Sequence, residues 1–204
     1  MRFNRLMPLL LTAWVLLGAL IAADKTTFQS KPVDQYPHRL TSEKVTIAAQ
    51  PFLTDEETKE AFGKLNPSRY GVLPVLIVIK NEGKDTLKVE RMKVSYVLPD
   101  NTRIDATPAG DVKYARGAKA PKNIPGPSLP GVHIGQGGKN PLAAWEIEGR
   151  AFAAKVIPPG ESASGFVYFQ TQETSAAALI YIAGLTNAVS GNELYFFEIP
   201  MSGK

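Results

Sequence analysis

The stretch that decides the fold is VLPVLIVI, residues 72–79. It is continuously apolar and rich in β-branched side chains, and it therefore predicts a strand that is covered on both faces. Pro74 has no amide hydrogen to donate to a sheet, so we expect it near the start of the strand or at a bulge. The polar residues 81–85 follow and predict the turn that ends the strand.

Further strand patterns lie on both sides of this stretch. Before it, residues 44–49 place apolar side chains at alternate positions, which predicts one buried strand face. After it, residues 92–98 alternate with a period of two and indicate a half-buried strand. Asp100 and Asn101 then predict a turn back into residues 103–105.

The C-terminal region repeats the same pattern. A turn signal at residues 158–161 precedes the apolar run 165–169, and residues 177–185 and 194–199 form two more runs. Short runs with turn residues between them are typical of antiparallel β-sandwiches. The sequence therefore predicts a mainly β, antiparallel sandwich of about seven to nine strands. Within the last run, strand alternation cannot bury both Phe196 and Phe197, so one of them should face outward or lie beneath a covering loop.

One short helix interrupts the strands. Thr54 is followed three residues later by Glu57, the spacing of a capping box at a helix N-terminus. Gly63 and the dipeptide Asn66-Pro67 should end the helix soon afterwards.

Several of these motifs resemble the immunoglobulin-like β-sandwich domains of small exported bacterial envelope proteins of unassigned function. The resemblance covers roughly residues 70–107 and 155–200. It implies an immunoglobulin-like sandwich and an envelope location, and it carries no activity and no catalytic residue. The motifs that carry it are Asn81-x-Gly83, Leu87-x-Val89, Val94-x-Tyr96-x-Leu98-x-Asp100, and Ile157-Pro158-Pro159-Gly160-Glu161-Ser162 with Gly165-Phe166-Val167-Tyr168-Phe169.

The N-terminus has the pattern of an export signal. Arg2 and Arg5 precede an uncharged apolar run, residues 6–23, which ends in two alanines. We expect cleavage after this run and a periplasmic or extracellular mature protein. The alternative is an uncleaved anchor, because the run is just long enough to span a bilayer. Residues 24–40 then predict an N-terminal tail, and residues 41–204 a single β-sandwich domain with a loop insertion at 112–145.

The composition argues against most catalytic chemistry. The chain has no Cys and two His, His38 and His133, which excludes disulfides, a thiolate nucleophile and Cys-built zinc sites. The serines Ser128, Ser162 and Ser164 lack the Gly-x-Ser-x-Gly setting of a hydrolase nucleophile. We therefore expect no enzyme activity, no metal and no cofactor. His133 is interpreted as an exposed loop residue.

The segment 112–145 has the sharpest functional feature. It contains no Asp or Glu, and many Pro and Gly residues prevent a regular element. Its cations could bind an anionic envelope polymer or an envelope protein, and the alternative is a solvated linker. Nucleic acid is not favoured, because aromatic side chains for base stacking are sparse in it, and because removal of Arg2 and Arg5 leaves the charge nearly balanced. The candidate binding residues are Lys113, Arg116, Lys119, Lys122 and Lys139.

A pair of carboxylates supports a second hypothesis. Glu146, Glu148 and Arg150 would share one face of a strand, where Glu–Arg pairing is natural. The two Glu could instead act as acid and base of a carbohydrate-active or other hydrolase, although catalytic pairs normally come from separate elements. The favoured hypothesis is a non-enzymatic exported β-sandwich of the cell envelope that acts as an interaction or accessory module.

Overall fold

The computed structural model describes residues 28–113 and 140–202. These residues contain eleven strands, two short α-helices and three 3₁₀ helices. The helices are α1 (Asp55–Phe62), α2 (Trp145–Gly149) and the 3₁₀ segments Val33–Gln35, Pro67–Tyr70 and Ala109–Asp111. The strands are β1 (Arg39–Ser42), β2 (Val45–Pro51), β3 (Leu73–Asn81), β4 (Leu87–Lys88), β5 (Lys93–Val97), β6 (Arg103–Asp105), β7 (Val156–Ile157), β8 (Ser162–Phe169), β9 (Leu179–Ala183), β10 (Thr186–Asn187) and β11 (Phe197–Pro200).

The strands form three sheets in which every strand pair is antiparallel. The central sheet has the order β1-β2-β3-β8, and the outer sheet has the order β11-β9-β5-β6. A small third sheet joins β10, β4 and β7 through two-residue ladders. The prediction of a mainly β antiparallel fold is confirmed.

Strand β3 lies in the middle of the central sheet, and both of its faces are covered, as the sequence predicted. It pairs with β2 on one side and with β8 on the other. Pro74 is the second residue of the strand, where its missing amide costs little. Alternate residues of β3 enter two different hydrophobic clusters, which explains why both faces had to be apolar.

The main core lies between the central and outer sheets. The central sheet contributes residues such as Ile47 and Ile77, and the outer sheet contributes residues such as Tyr96, Ile180 and Phe197. The second cluster lies on the other face of the central sheet. There, Ala61 and Phe62 of α1 and Ile147 of α2 pack against Phe166 and Tyr168. The fold therefore has three layers, with helices, central sheet and outer sheet in that order.

Helix α1 begins at the capping box that the sequence predicted. The Thr54 hydroxyl accepts a hydrogen bond from the Glu57 amide at 3.1 Å, and the Glu57 carboxylate accepts one from the Thr54 amide at 3.0 Å. The cap residue at the other end is Gly63, with φ of 64°, a conformation that glycine adopts without a Cβ clash. The helix buries Thr58, Ala61 and Phe62.

The strand expected around Glu146, Glu148 and Arg150 is wrong, because residues 145–149 form helix α2. A helix separates residues two positions apart, so Glu148 does not share a face with Glu146 or with Arg150. The helix instead places Ile147 in the second cluster with no exposed surface. The Tyr168 hydroxyl donates a hydrogen bond to the Ile147 carbonyl at 2.7 Å. A helix of one turn is too short to show a periodic pattern in the sequence. Its formation here depends on the burial of Ile147.

The structure adds elements to the predicted set. The two-residue strands β4, β7 and β10 raise the count to eleven within the described residues, and α2 is a second helix. Ladders this short carry no periodic signal. The immunoglobulin-like form of the sandwich stays a prediction.

The residues before β1 pack onto the fold. Phe28 makes ring contacts with Phe52 and Phe166, with centroids 5.8 and 5.4 Å apart. Tyr36 is buried, and burial raises the pKa of its phenol. Strand β1 begins at Arg39, inside the segment predicted as a tail.

Candidate functional site

A groove of about 1210 Å³ runs beside the outer sheet. Its walls come from the segment leading into β5, from β6, from residues 152–155, and from the region between β9 and β11. It is partly open to solvent, and two other depressions among the described residues have volumes of only about 270 and 200 Å³. The groove is the candidate functional site.

The floor of the groove is apolar. It is formed by half-buried side chains that pack against the main core, which is therefore not fully closed on this side of the sandwich. These residues are Met92, Ala106, Phe152, Ala154 and Val167. A ligand that covers an apolar floor of this kind buries apolar surface, and no charged group of the floor has to lose its water.

The wall opposite β6 is held by backbone contacts. The Phe152 amide donates to the Phe166 carbonyl at 2.9 Å, and the Phe166 amide donates to the Arg150 carbonyl at 2.8 Å. A Cβ on Gly165 would lie 2.4 Å from the Phe152 Cα, so only glycine permits this approach. The wall is fixed again at its far end, where the Val89 amide donates to the Lys155 carbonyl at 2.8 Å.

Strand β6 is an edge of the outer sheet, and its free side faces away from β5. The Leu98 amide donates to the Thr102 carbonyl, and the Ala106 amide donates to the Val94 carbonyl, both at 2.9 Å. In an antiparallel ladder, successive residues point their backbone groups alternately toward and away from the neighbouring strand. The backbone groups of Arg103 and Asp105 therefore point away from β5. No hydrogen bond from elsewhere in residues 28–113 or 140–202 reaches those groups.

The rim of the groove is charged, with more cations than anions. The cations are the exposed residues Arg91, Lys93, Arg103 and Lys155, and the acids are Glu90, Asp105 and Glu193. Two of the acids already accept hydrogen bonds, one from the Ser95 hydroxyl at 2.7 Å and one from the Gly184 amide at 3.1 Å. In the described part of the chain, the ion pair found joins Arg69 to Asp55, so the four groove cations have no ion-pair partner there.

An aromatic group lies at one end of the groove. The Tyr181 ring stacks on Phe196 with centroids 5.4 Å apart, and the Arg103 guanidinium lies 4.3 Å from its centroid. Phe197 is fully buried, whereas Phe196 is 52% exposed, so the prediction that one of this pair faces outward is confirmed. The Tyr181 ring already has two stacking neighbours and is not a free platform for a sugar ring.

The basic residues predicted as a binding arm are mostly outside the described residues. Arg116, Lys119, Lys122 and Lys139 lie there, and so does His133. Lys113 is described and exposed, and its carbonyl accepts a hydrogen bond from the Gln170 side chain at 2.7 Å.

The two described ends of the predicted insertion are joined to each other. The Asn140 side chain donates to the Val112 carbonyl at 2.9 Å, and both Val112 and Leu142 are buried in the second cluster. The insertion therefore leaves and re-enters the fold at one place, on the helical side of the central sheet.

The other sequence candidates do not meet at the groove. Glu146 and Glu148 lie on α2 and are not among the groove-lining residues. Ser162 and Ser164 are exposed on β8, where the Ser164 hydroxyl hydrogen-bonds Ser30 at 2.8 Å. His38 is half-buried, and its carbonyl accepts the Ala49 amide at 3.0 Å.

Sequence reasoning missed most of the groove residues. Lys93, Arg103 and Asp105 were simply the polar positions of alternating strands, a pattern that most solvated sheets share. The one available signal was Phe196 beside Phe197, which marked the outer sheet as having an exposed aromatic face.

Within residues 28–113 and 140–202, no group of three or more His, Cys, Asp or Glu side chains is arranged to hold a metal ion. No helix in the same residues has the length and apolar character needed to cross a membrane.

Comparison with known proteins yields only distant structural likenesses. No protein-family model matches the chain, and no curated protein matches it. Similar solved structures include a candidate lipoprotein (ycdA) of Bacillus subtilis, with 14% identity, a TM-score of 0.38, and coverage of 81% of this chain and 39% of that one. A functionally unknown protein from Listeria monocytogenes has 12% identity, a TM-score of 0.36, and coverage of 81% and 82%.

A third similar structure is the candidate ApaA protein of Bordetella pertussis, with 12% identity, a TM-score of 0.35, and coverage of 81% of this chain and 97% of that one. The chain spans about two fifths of the length of the Bacillus protein. At TM-scores below 0.5, these likenesses establish neither a shared family nor a shared function.

Proposed function

We propose that this protein is a non-enzymatic binding module exported to the cell envelope, and that the groove beside the outer sheet is its binding site. The observation that carries the proposal is the combination in one groove of an apolar floor, cations with no ion-pair partner and a strand edge with no backbone partner, both judged within residues 28–113 and 140–202. A partner that covers the groove would bury the apolar floor, supply acidic groups to the cations and supply hydrogen bonds to the strand edge.

Export is supported by the N-terminal residues. Arg2, Arg5 and the apolar run 6–23 lie outside the described residues, and their pattern is that of a signal. Mass spectrometry of the chain recovered from the envelope fraction tests this part. A mature protein that begins near Asp24 is expected, and a full-length chain in the membrane pellet would indicate the anchor instead.

The partner we favour is an envelope protein rather than an anionic envelope polymer. A polymer of charged sugars would engage the cations but would leave the apolar floor and the backbone edge of β6 unused. The basic segment that begins at Lys113 remains a second proposed contact for an anionic partner. Replacing Lys113, Arg116, Lys119, Lys122 and Lys139 by Gln should then remove salt-sensitive binding without affecting folding.

A hydrolase that uses carboxylates such as Glu146 and Glu148 is the alternative that we do not favour. Glu146 and Glu148 lie on the same one-turn helix, two residues apart, and a helix points such side chains in different directions. No pair of carboxylates flanking a common cleft is formed by these two residues, as glycoside hydrolysis would require.

Filling the groove tests the proposed function without knowledge of the partner. Ala153 is exposed and lines the groove, so Ala153→Trp should block it without entering the core. Ala143 is also exposed but does not line the groove, and Ala143→Trp is the matched control. Solubilised envelope proteins are passed over each immobilised variant, and retained material is quantified.

We expect Ala153→Trp to reduce retention at least tenfold and Ala143→Trp to leave it unchanged. Equal retention by the wild type and both variants would show that the groove is not the binding site.

A further inference from the structure

We propose that the occupant of the groove is an extended polypeptide segment that adds to β6 as a new edge strand of the outer sheet. The inference rests on the proposed function and names the class of ligand. The segment would carry apolar side chains at alternate positions facing the groove floor, and an acidic side chain on the outer face beside Arg103.

The backbone of β6 supplies the first argument. Two residues of this strand, Arg103 and Asp105, direct their amide and carbonyl groups away from β5. Main-chain hydrogen bonds to such an edge are the source of affinity when a peptide joins a sheet. An oligosaccharide or an inorganic anion cannot reproduce the alternating donor and acceptor spacing.

The opposite wall supplies the second argument. Ala153 and Ala154 lie in an irregular segment of the same groove, and among the described residues their backbone groups make no hydrogen bond. A strand placed against β6 would therefore meet unpaired backbone on its far side as well. Backbone groups without an internal partner therefore occur on both sides of the groove, and they suit a polypeptide ligand better than a small molecule.

The floor determines which side chains fit. In a strand added to β6, alternate side chains face the same way as Ile104, which packs against the main core. On that side the ligand meets Ala106, Phe152 and Val167, whose half-buried side chains cover the core incompletely. Apolar ligand residues at alternate positions would complete this cover.

The charges determine the remaining positions. Lys93, Ser95, Arg103 and Asp105 share the outer face of the sheet, because the strand register places them on the same side. Asp105 is engaged with the Ser95 hydroxyl, whereas Lys93 and Arg103 have no acidic partner among the described residues. An acidic ligand residue beside Arg103 would be attracted by both cations, and one beside Asp105 would be repelled.

The edge is nevertheless protected against indiscriminate pairing. Strand β6 has three residues and carries two charged side chains, which are devices that natural sheets use to discourage edge-to-edge association. The same devices become selective when the partner has a complementary charge. They therefore favour a peptide whose charges complement Arg103 and Asp105.

The test uses selected peptides and backbone-specific changes. A library of displayed dodecapeptides is selected on the wild-type protein, and enriched sequences are synthesised with and without N-methyl groups at alternate residues. Affinities are measured for the wild type, Arg103→Pro, Arg103→Gln and Ala153→Trp. Proline at 103 removes an outward amide that β5 does not use, whereas glutamine keeps that amide and removes the charge.

We expect enriched peptides to alternate apolar and acidic residues. Arg103→Pro and N-methylation should each weaken binding at least tenfold, and Arg103→Gln should weaken it no more than about threefold. In the unsubstituted protein, hydrogen exchange of the Asp105 amide should slow at least tenfold when the peptide binds. The hydrogen-exchange measurement and the N-methylated peptides both use the wild-type protein. They therefore test the inference even if Arg103→Pro does not fold.

The outcomes separate this inference from the proposed function. If Ala153→Trp abolishes binding but N-methylation and Arg103→Pro do not, the groove is a binding site and strand addition is wrong. If the library yields no enriched peptide, or if the Asp105 amide is already protected in the free protein, strand addition is also wrong. If Ala153→Trp binds like the wild type, the proposed function fails as well.

Discussion

The central and outer sheets differ in how many of their faces are covered. In the central sheet, β3 has eight of nine residues buried, since helices cover one face and the outer sheet covers the other. In the outer sheet, β6 has two exposed residues and one half-buried residue. The comparison indicates that the central sheet uses both of its faces for packing, whereas the outer sheet has one face and one backbone edge left for binding.

The adjacent residues Phe196 and Phe197 allow the sharpest test of this comparison. Phe197 is fully buried between the sheets, and Phe197→Ala should destabilise the protein by about 4 kcal/mol through lost burial and a cavity. Phe196 is half exposed and stacks on Tyr181, and Phe196→Ala should cost about 1 kcal/mol. Urea unfolding of both variants measures the difference, and equal losses would show that the outer face of this sheet is covered.

Gly165 tests whether the groove wall is part of the central sheet. A Cβ at this position would overlap the Phe152 backbone, so Gly165→Ala should cost about 3 kcal/mol and shift residues 152–155. Gly110 is the control, because the nearest atom to a Cβ there is 3.8 Å away. Gly110→Ala should change the free energy of unfolding by less than about 0.5 kcal/mol. A tolerated Gly165→Ala would mean that the wall is not held against β8.

Tyr168 tests the helix-covered side of the central sheet. Its hydroxyl donates to the Ile147 carbonyl, and Tyr168→Phe leaves that buried carbonyl without this donor, at a cost of about 1–2 kcal/mol. Tyr195→Phe is the control, since Tyr195 is 77% exposed, and it should change stability by less than about 0.5 kcal/mol.

The same tyrosine predicts a pH dependence. Burial raises the pKa of the Tyr168 phenol, and the nearby Arg150 charge opposes this only in part. The pKa of this phenol in the folded protein exceeds the unfolded value of about 10. The contribution of the protonated phenol to the free energy of unfolding is therefore complete below pH 10 and is lost as the pH rises beyond it. The wild type should therefore lose stability more steeply than Tyr168→Phe above about pH 10, and identical alkaline slopes would contradict the burial argument.

Much of the layered fold could be predicted from the sequence, because long strands and a capped helix have local signals. Residues 72–79 predicted a strand covered on both faces, and Thr54 with Glu57 predicted the start of α1. Helix α2 could not be predicted in this way, since its position depends on Ile147 entering a cluster assembled from distant segments. The two-residue strands likewise depend on neighbours that only the tertiary fold provides.

The candidate site could hardly be predicted, for a related physical reason. The groove exists because β6 and residues 152–155 do not pack against each other. Their relative placement depends on the tertiary fold and has no local signal in the sequence. Arg103 and Asp105 have the alternation of any solvated strand, whereas the run of cations from Lys113 to Lys139 is conspicuous in the sequence. A charge pattern along the chain can be seen locally, but an unpaired backbone edge cannot.

The turn between β5 and β6 carries the smallest expected effect. The Thr102 amide and hydroxyl donate to the Asp100 carboxylate at 2.9 and 2.8 Å, and these bonds hold the pKa of that carboxyl below its usual value. Because the pKa of Asp100 is lower in the folded protein, the ionised carboxylate stabilises the fold above about pH 4. This stabilisation is lost as the pH falls through the folded pKa. Asp100→Asn should therefore lower Tm slightly at pH 7, and the difference from the wild type should shrink toward pH 3. Because the carboxylate is fully exposed, water competes for these hydrogen bonds, and a large loss would instead mean that this turn sets the register of β6 and hence the unpaired edge.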